Sequence, residues 1–395
     1  MQNNDALVSH RERRAPMRSL IPLYFGEFFL YVANSIAFTA IATRAVGAGL
    51  DSAVVGTAGT AYYAGLFAIY LSGPAIVRWV GLRTMVLSAA PLAFAGLAVL
   101  VAPAAAAWLL GRFMMGAGNG LLIVAMENWI NLATGRETRG RALAVYMAVY
   151  LGSYVVGQSV LLIVAPTSEA ALWIAAGSLV AGLAAFLAAF PPAKPALSKL
   201  PRGGASRILF EAPLSVAVTL VSGLAAAVLY ALGPLYALRI GMDPQRVPAF
   251  MIVVVAGASV SQIGLGCASD RFDRSRVLVG IQMVAAAASL GLYLADEISG
   301  LVFVLAIAWG SSAPLGYATA AAIVYDAPHG RPTREVAQVV LVANGIGGVL
   351  GPTLASTLDA LDPGKGLFIL SLAVFAILTA ALLLLRRAPT ASGTR

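Results

Sequence analysis

The chain has 395 residues, 60% of them hydrophobic and only 11% charged, with a formal net charge of +9. A soluble domain carries roughly a quarter charged residues, so a water-soluble globular fold is excluded. A single cysteine and two histidines exclude an internal disulfide and leave no ligand cluster for a metal, and no cofactor motif is present.

In chain order, residues 1–19 form a polar, basic tail, "MQNNDALVSHRERRAPMRS", without the short apolar core and cleavage site of a signal peptide. Apolar runs of about 20 residues, the length that crosses a bilayer as a helix, follow at 20–43, 53–77, 84–102, 105–130, 141–165 and 169–190. A linker at 191–209, beginning "PPAKPALSKLPRGGASRI", separates them from runs at 210–238, 247–268, 277–295, 300–325, 335–357 and 366–385, and a tail covers 386–395. The expectation is an all-α polytopic membrane protein. Its twelve transmembrane helices form two six-helix bundles, 20–190 and 210–385.

With twelve spans both termini face the same side. Of the 26 Lys and Arg residues, 21 fall on that side, and only Arg44, Arg239, Arg246 and Lys365 fall on the other. Positive loops stay inside, so both termini are expected in the cytoplasm, in the plasma (inner) membrane. The basic charge is then an orientation signal. Membrane lipids are expected partners through their anionic headgroups; nucleic acid is not.

The two halves repeat. A shift of 193 positions overlays "GPAIVRWVGLR" on "GCASDRFDRSR", bringing Gly73 onto Gly266, Arg78 onto Arg271 and Arg83 onto Arg276, with Val77 where Asp270 stands. Glu127, near the end of the fourth run, comes close to Asp326 at the end of the tenth. Two six-span halves repeated in parallel, pseudo-symmetric about a central cavity, are a design of secondary transporters. Asp270 beside Arg271 could form ion pairs that break and re-form as the halves rock; the plainer reading is a loop whose charge only sets orientation.

These residues resemble the major facilitator superfamily, whose loop signature is roughly Gly-x-x-x-Asp-Arg-x-x-x-Arg. Gly266, Asp270, Arg271 and Arg274 match it in the second half; Gly73, Arg78 and Arg83 match in the first, where Val77 replaces the acid. "GRFMMGAGNG" resembles the family's Arg-x-x-x-Gly-x-Gly element through Arg112, Gly116 and Gly118. "AMENWINLATGRETRGRALAVY" at 125–146 and "APLGYATA" at 313–320 are similar to the YcaD-like branch. The Gly-Pro element of many antiporters is absent, since Gln158 follows Gly157. The resemblance implies that spans 1, 4, 7 and 10 surround the cavity, with Gly73, Arg78, Arg83, Glu127, Gly266, Asp270, Arg271, Arg274 and Asp326 at the gates.

Ionisable groups inside a bilayer are costly and mark function. Glu27 and Arg112 are the two placed well within spans. Glu27, Tyr31 and Asn34 share one helix face, as do Arg112, Gly116 and Asn119. Tyr146, Tyr150, Ser153, Tyr154 and Gln158 make the fifth span polar, and some of them could face substrate; the plain alternative is a structural aromatic face. The candidate substrate and proton cavity is therefore Glu27, Tyr31, Asn34, Arg112, Asn119, Tyr150 and Gln158. The bland alternatives are a Glu27 satisfied by its neighbours and an Arg112 that anchors helix packing. The expected function is secondary transport of a small organic solute by alternating access, proton-coupled through Glu27, by a monomer. The alternatives are a lipid or lysolipid flippase, and a non-transporting sensor or scaffold on a transporter fold. Nothing in the chain points to an enzyme.

Overall fold

A computed structural model describes residues 20–100, 104–190, 213–296, 298–326 and 333–387. Among them the chain is helical, with no strand. We number the helices α1 (Ile21–Gly47), α2 (Ser52–Val99), α3 (Ala105–Ala133), α4 (Arg136–Ile163), α5 (Glu169–Leu187), α6 (Pro213–Arg239), α7 (Val247–Arg271), α8 (Arg274–Leu294), α9 (Gly300–Asp326), α10 (Thr333–Leu358) and α11 (Gly366–Arg387). Ten of the described helices are long and apolar enough to cross a membrane. In hydrocarbon each peptide group must find its hydrogen bond within the protein, and a helix supplies that internally.

The sequence places separate spans at 53–77 and 84–102, and α2 holds two helical stretches, one on each side of a break that falls between those spans. Its 48 residues amount to about 72 Å of helix, more than one crossing needs. It breaks at Gly81, whose φ of 78° and ψ of 164° no residue with a Cβ adopts readily. Arg78 and Arg83 flank this turn. Elsewhere polar residues mark the starts of helices. The Ser168 hydroxyl accepts from the Ala171 amide at 3.4 Å to begin α5, and the Asp273 carboxylate accepts from the Arg276 amide at 2.9 Å to begin α8.

Helices α1–α5 pack on one another, and so do α6–α11. The packing repeats between the two groups. α1 lies on α4 and α5 as α6 lies on α10 and α11, and α2 lies on α3 as α7 and α8 lie on α9. Small residues permit the closest approaches. A Cβ on Gly116 would overlap the Tyr62 carbonyl, and one on Gly118 would stand 2.6 Å from the Ala89 carbonyl, so α2 and α3 meet backbone to backbone. Gly223 and Gly347 play the same part between α6 and α10, where Asn344 donates to the Thr219 carbonyl at 3.2 Å.

The two groups meet through α2 with α10, α4 with α7, and α1 with α6. Among the described residues, their cross-seam hydrogen bonds gather at one end, that of the α1–α2 and α4–α5 loops, apart from one hydroxyl contact midway along α4 and α6. The Thr60 hydroxyl donates to the Val349 carbonyl at 2.9 Å and shares a 2.7 Å bond with the Thr353 hydroxyl. Gln245, between α6 and α7, donates its amide to the Leu162 and Leu161 carbonyls at 2.7 and 3.3 Å. Asp359, just past α10, accepts from the Gly366 amide at 2.7 Å and is reached across the seam by Ser52. Burial raises the Asp359 carboxyl above its ordinary value, and these two bonds oppose the rise.

Gly56 marks the tightest point of this end. A Cβ there would overlap the Ser356 side chain and stand 2.7 Å from the Pro352 carbonyl oxygen. We expect Gly56→Val to part the seam. In a Cys267→Ala background, a Thr60→Cys reporter should react several-fold faster with a membrane-impermeant maleimide once Gly56 is Val. An unchanged rate would mean that this contact does not hold the end closed.

Candidate functional site

A cavity of about 350 Å³ lies between the two groups of helices, on the side away from the bonded end. It extends from Phe38, Tyr62 and Tyr154 at its floor to Tyr70, Tyr146 and Glu127 toward its mouth. Nine of the chain's 13 tyrosines line it. Helical periodicity puts them there. Tyr62 and Tyr70 lie two turns apart on α2, and Tyr146, Tyr150 and Tyr154 recur every four residues on α4. Tyr31 meets Tyr150 edge to face at 4.6 Å. Tyr150 reaches across to Tyr230 on α6, hydroxyl to hydroxyl at 3.5 Å. A second cavity of about 380 Å³ adjoins the first, shares Met147, Tyr150, Tyr230 and Tyr317 with it, and adds the apolar Leu151, Leu229 and Val255.

Tyr62 is the hub of the floor. Its hydroxyl oxygen accepts from the Asn34 amide at 2.5 Å and from the Asn119 amide at 2.6 Å, tying α1, α2 and α3 at one atom. The Arg112 guanidinium lies 3.9 Å from the centre of the Phe38 ring and 4.6 Å from that of Tyr62. Ring faces carry negative potential, so they hold a cation without a carboxylate. Arg112 is 2% exposed and its Nη1 has no hydrogen-bond partner among the described residues. The Oδ1 atoms of Asn34 and Asn119 are likewise buried and unpartnered.

The structure brings together some of the residues expected from sequence and separates others. Tyr31, Asn34, Asn119 and Tyr150 line the cavity. Glu27, Arg112 and Gln158 stand behind its wall. Glu27 is completely buried, and both carboxyl oxygens lack a hydrogen-bond partner among the described residues. The groups in electrostatic reach of it are the hydroxyls of Tyr24, Tyr31, Tyr146 and Tyr150. Arg112 instead faces Tyr62, Tyr63 and Tyr154, so the two charges do not pair. Gln158 is spent on packing. It accepts from Thr39 at 3.0 Å and donates to the Ser35 carbonyl and hydroxyl at 2.9 and 3.0 Å, fastening α4 to α1.

Among the residues placed at the gates, Arg83 donates to the Leu187 carbonyl at 3.5 Å and lies over the Phe190 ring at 4.4 Å, closing the end of α5. Arg78 is exposed. Gly73 packs α2 onto Val124 of α3, where a Cβ would come within 3.0 Å. Arg274 opens α8. Glu127 lines the cavity with its side chain accessible, and no ion pair holds it among the described residues. The side chains at Asp270, Arg271 and Asp326, and the surroundings of Gly266, lie outside the described part.

The tyrosine lining was not anticipated as a set. Its signal was available in the four-residue recurrence on α4 and in the pair Tyr62 and Tyr70. Neither shows which face of a helix turns toward the other half.

Comparison with known proteins agrees with this geometry. The family model for the Major Facilitator Superfamily matches residues 23–352. An uncharacterized MFS-type transporter, YcaD, from Salmonella newport is 26% identical over 350 residues, covering 86% of this chain and 89% of its own length. The crystal structure of the nucleoside transporter NupG superposes with a TM-score of 0.78 at 12% identity, covering 93% of this chain and 99% of that one. A bacterial homologue of the human lysosomal transporter Spinster, in an inward-facing, unoccupied conformation, superposes with a TM-score of 0.70 at 15% identity, covering 94% and 97%. At these identities the two structures share the fold with this chain.

Replacing Tyr62 by Phe would leave the Asn34 and Asn119 amide groups buried without their acceptor, a loss of about 1–3 kcal/mol. The melting temperature of the purified protein in detergent should fall by a few degrees. Tyr63→Phe, one position away and without a side-chain hydrogen bond here, should leave it unchanged. Equal melting of the two variants would remove Tyr62 from the role of hub.

Proposed function

The chain belongs to the major facilitator superfamily, a family of membrane transporters, and we propose that within it the protein is a secondary active transporter of a small organic solute. The observation that carries this reading is a cavity built by both helix groups whose cross-seam bonds among the described residues, the Tyr150–Tyr230 contact within the cavity aside, gather at a single end. Rocking about that arrangement exposes the cavity to one side at a time. The distribution of basic residues places both termini in the cytoplasm, and the cavity then opens inward, across twelve spans if the two parts of α2 are counted separately. Asp270, Arg271 and Asp326 remain the candidate gate charges at the cytoplasmic end.

Glu27 is the coupling residue in this reading. A carboxyl that is buried, unpaired by any cation and adjacent to a tyrosine-lined cavity is stable there when it carries a proton. Ionising it requires water or a partner that another state of the transporter would supply. Proton occupancy is thereby tied to conformation, as coupled transport requires. Arg112, held by rings instead of an acid, is a positioning residue that sets the potential at the floor.

The test is transport in proteoliposomes with an imposed pH gradient, using a panel of amines, amino-acid-like solutes and organic acids. Glu27→Gln should abolish uphill accumulation and preserve downhill exchange. Glu27→Asp should keep accumulation with a displaced pH profile. Wild-type pH dependence in Glu27→Gln would remove Glu27 from coupling.

A further inference from the structure

The cavity wall carries a charge pattern that the transport reading leaves unused. Among the described side chains that line it, Glu127 is the one with a formal charge. It is accessible, unpaired among the described residues, and within electrostatic reach of Tyr70 and Tyr146, which also line the cavity. Around it the wall is made of phenol rings, whose faces and hydroxyl oxygens are negative in potential. The nearest buried cation, Arg112, is fifteen residues away on the same helix. That is about 22 Å along the axis. Its charge is also engaged by the Phe38 and Tyr62 rings.

From this we propose that the cavity takes an organic cation, an amine on an apolar or aromatic body, with its ammonium group held by the Glu127 carboxylate and the rings of Tyr70 and Tyr146. The proposal rests on the transporter reading for the meaning of the cavity and adds the class of solute. The adjoining chamber, lined by Leu151, Leu229 and Val255, gives the body of such a molecule an apolar place. A ligand anion would meet a carboxylate and a ring of π-faces, with no cation among the described lining side chains to receive it. A neutral ligand of the same shape would forgo both the ion pair and the cation–π contacts, which together discriminate it.

Binding to the purified full-length protein in detergent tests this with three matched probes: phenethyltrimethylammonium, its neutral carbon isostere with a tert-butyl group in place of the trimethylammonium, and 3-phenylpropionate. The cation should bind at least tenfold more tightly than either of the others. E127Q should weaken the cation at least tenfold, while Glu127→Asp should stay within about threefold of the wild type. If E127Q is poorly folded, the rings supply the test: Tyr70→Leu and Tyr146→Leu should each weaken the cation several-fold and the Phe variants should not. Equal binding of the isostere, tighter binding of the carboxylate, or indifference to both Glu127 and the rings would overturn the proposal. Proteoliposome uptake separates the two readings. Glu127-dependent binding of the cation without any solute uptake keeps the cation site and sinks the transport reading. Uptake of neutral or anionic solutes without cation binding does the reverse.

Discussion

A hydrocarbon layer offers peptide groups no hydrogen-bond partner, and every other feature of this molecule is arranged around that constraint. It forces helices, and it forces the helices to pack without a hydrophobic driving force, since lipid is as apolar as a leucine side chain. Close contact must then come from shape. Gly116 against the Tyr62 carbonyl and Gly223 against the Asn344 carbonyl are places where the backbones themselves touch. Within the spans, hydroxyls such as those of Ser159 and Ser289 turn back to carbonyls of their own helix, and other polar side chains find two further uses. They fasten one helix to another, as Gln158 does, or they face a cavity that another half-molecule completes, as Tyr150 does.

The floor of the cavity shows how few polar groups suffice when each serves several helices. One phenolic oxygen joins three helices, and two rings carry a guanidinium. An acid opposite Arg112 would have bound it more strongly. It would also have cancelled the local field and added a second desolvated charge. Rings avoid that cost and leave the positive potential in place.

Much of the architecture could be read from the sequence because length and apolarity report directly on membrane crossing. The spans at 20–43, 105–130 and 210–238 fall on helices α1, α3 and α6. The break at Gly81 falls between the spans at 53–77 and 84–102, where Arg78 and Arg83 interrupt the apolar pattern; that a single positive-φ glycine makes the turn was less legible, because only its φ decides. Glu27 and Arg112 were visible as buried charges, yet their lack of a mutual contact was not. That depends on helix rotation, which one sequence does not specify. Gln158 looked like a cavity residue for the same reason. Its chemistry suits a ligand or a neighbouring helix equally, and Ser35 and Thr39 happen to stand opposite. Asp273 was overlooked as a helix cap because the surrounding charges drew attention to Asp270.

The bonded end between the two helix groups is made almost wholly of glycines, hydroxyls and one amide: Gly56, Thr60, Thr353, Ser356 and Gln245. No cation–carboxylate pair crosses it among the described residues. Besides the Asp359 carboxyl that Ser52 reaches, the clasp is a set of neutral hydrogen bonds, each worth about 1 kcal/mol net. Its total strength is modest. In the transport reading, such a joint would sit within the few kcal/mol that a solute or a proton can supply through unequal affinity for two states. The material of the clasp would then make the molecule reversible, firm enough to define a closed end and light enough for a cargo to open.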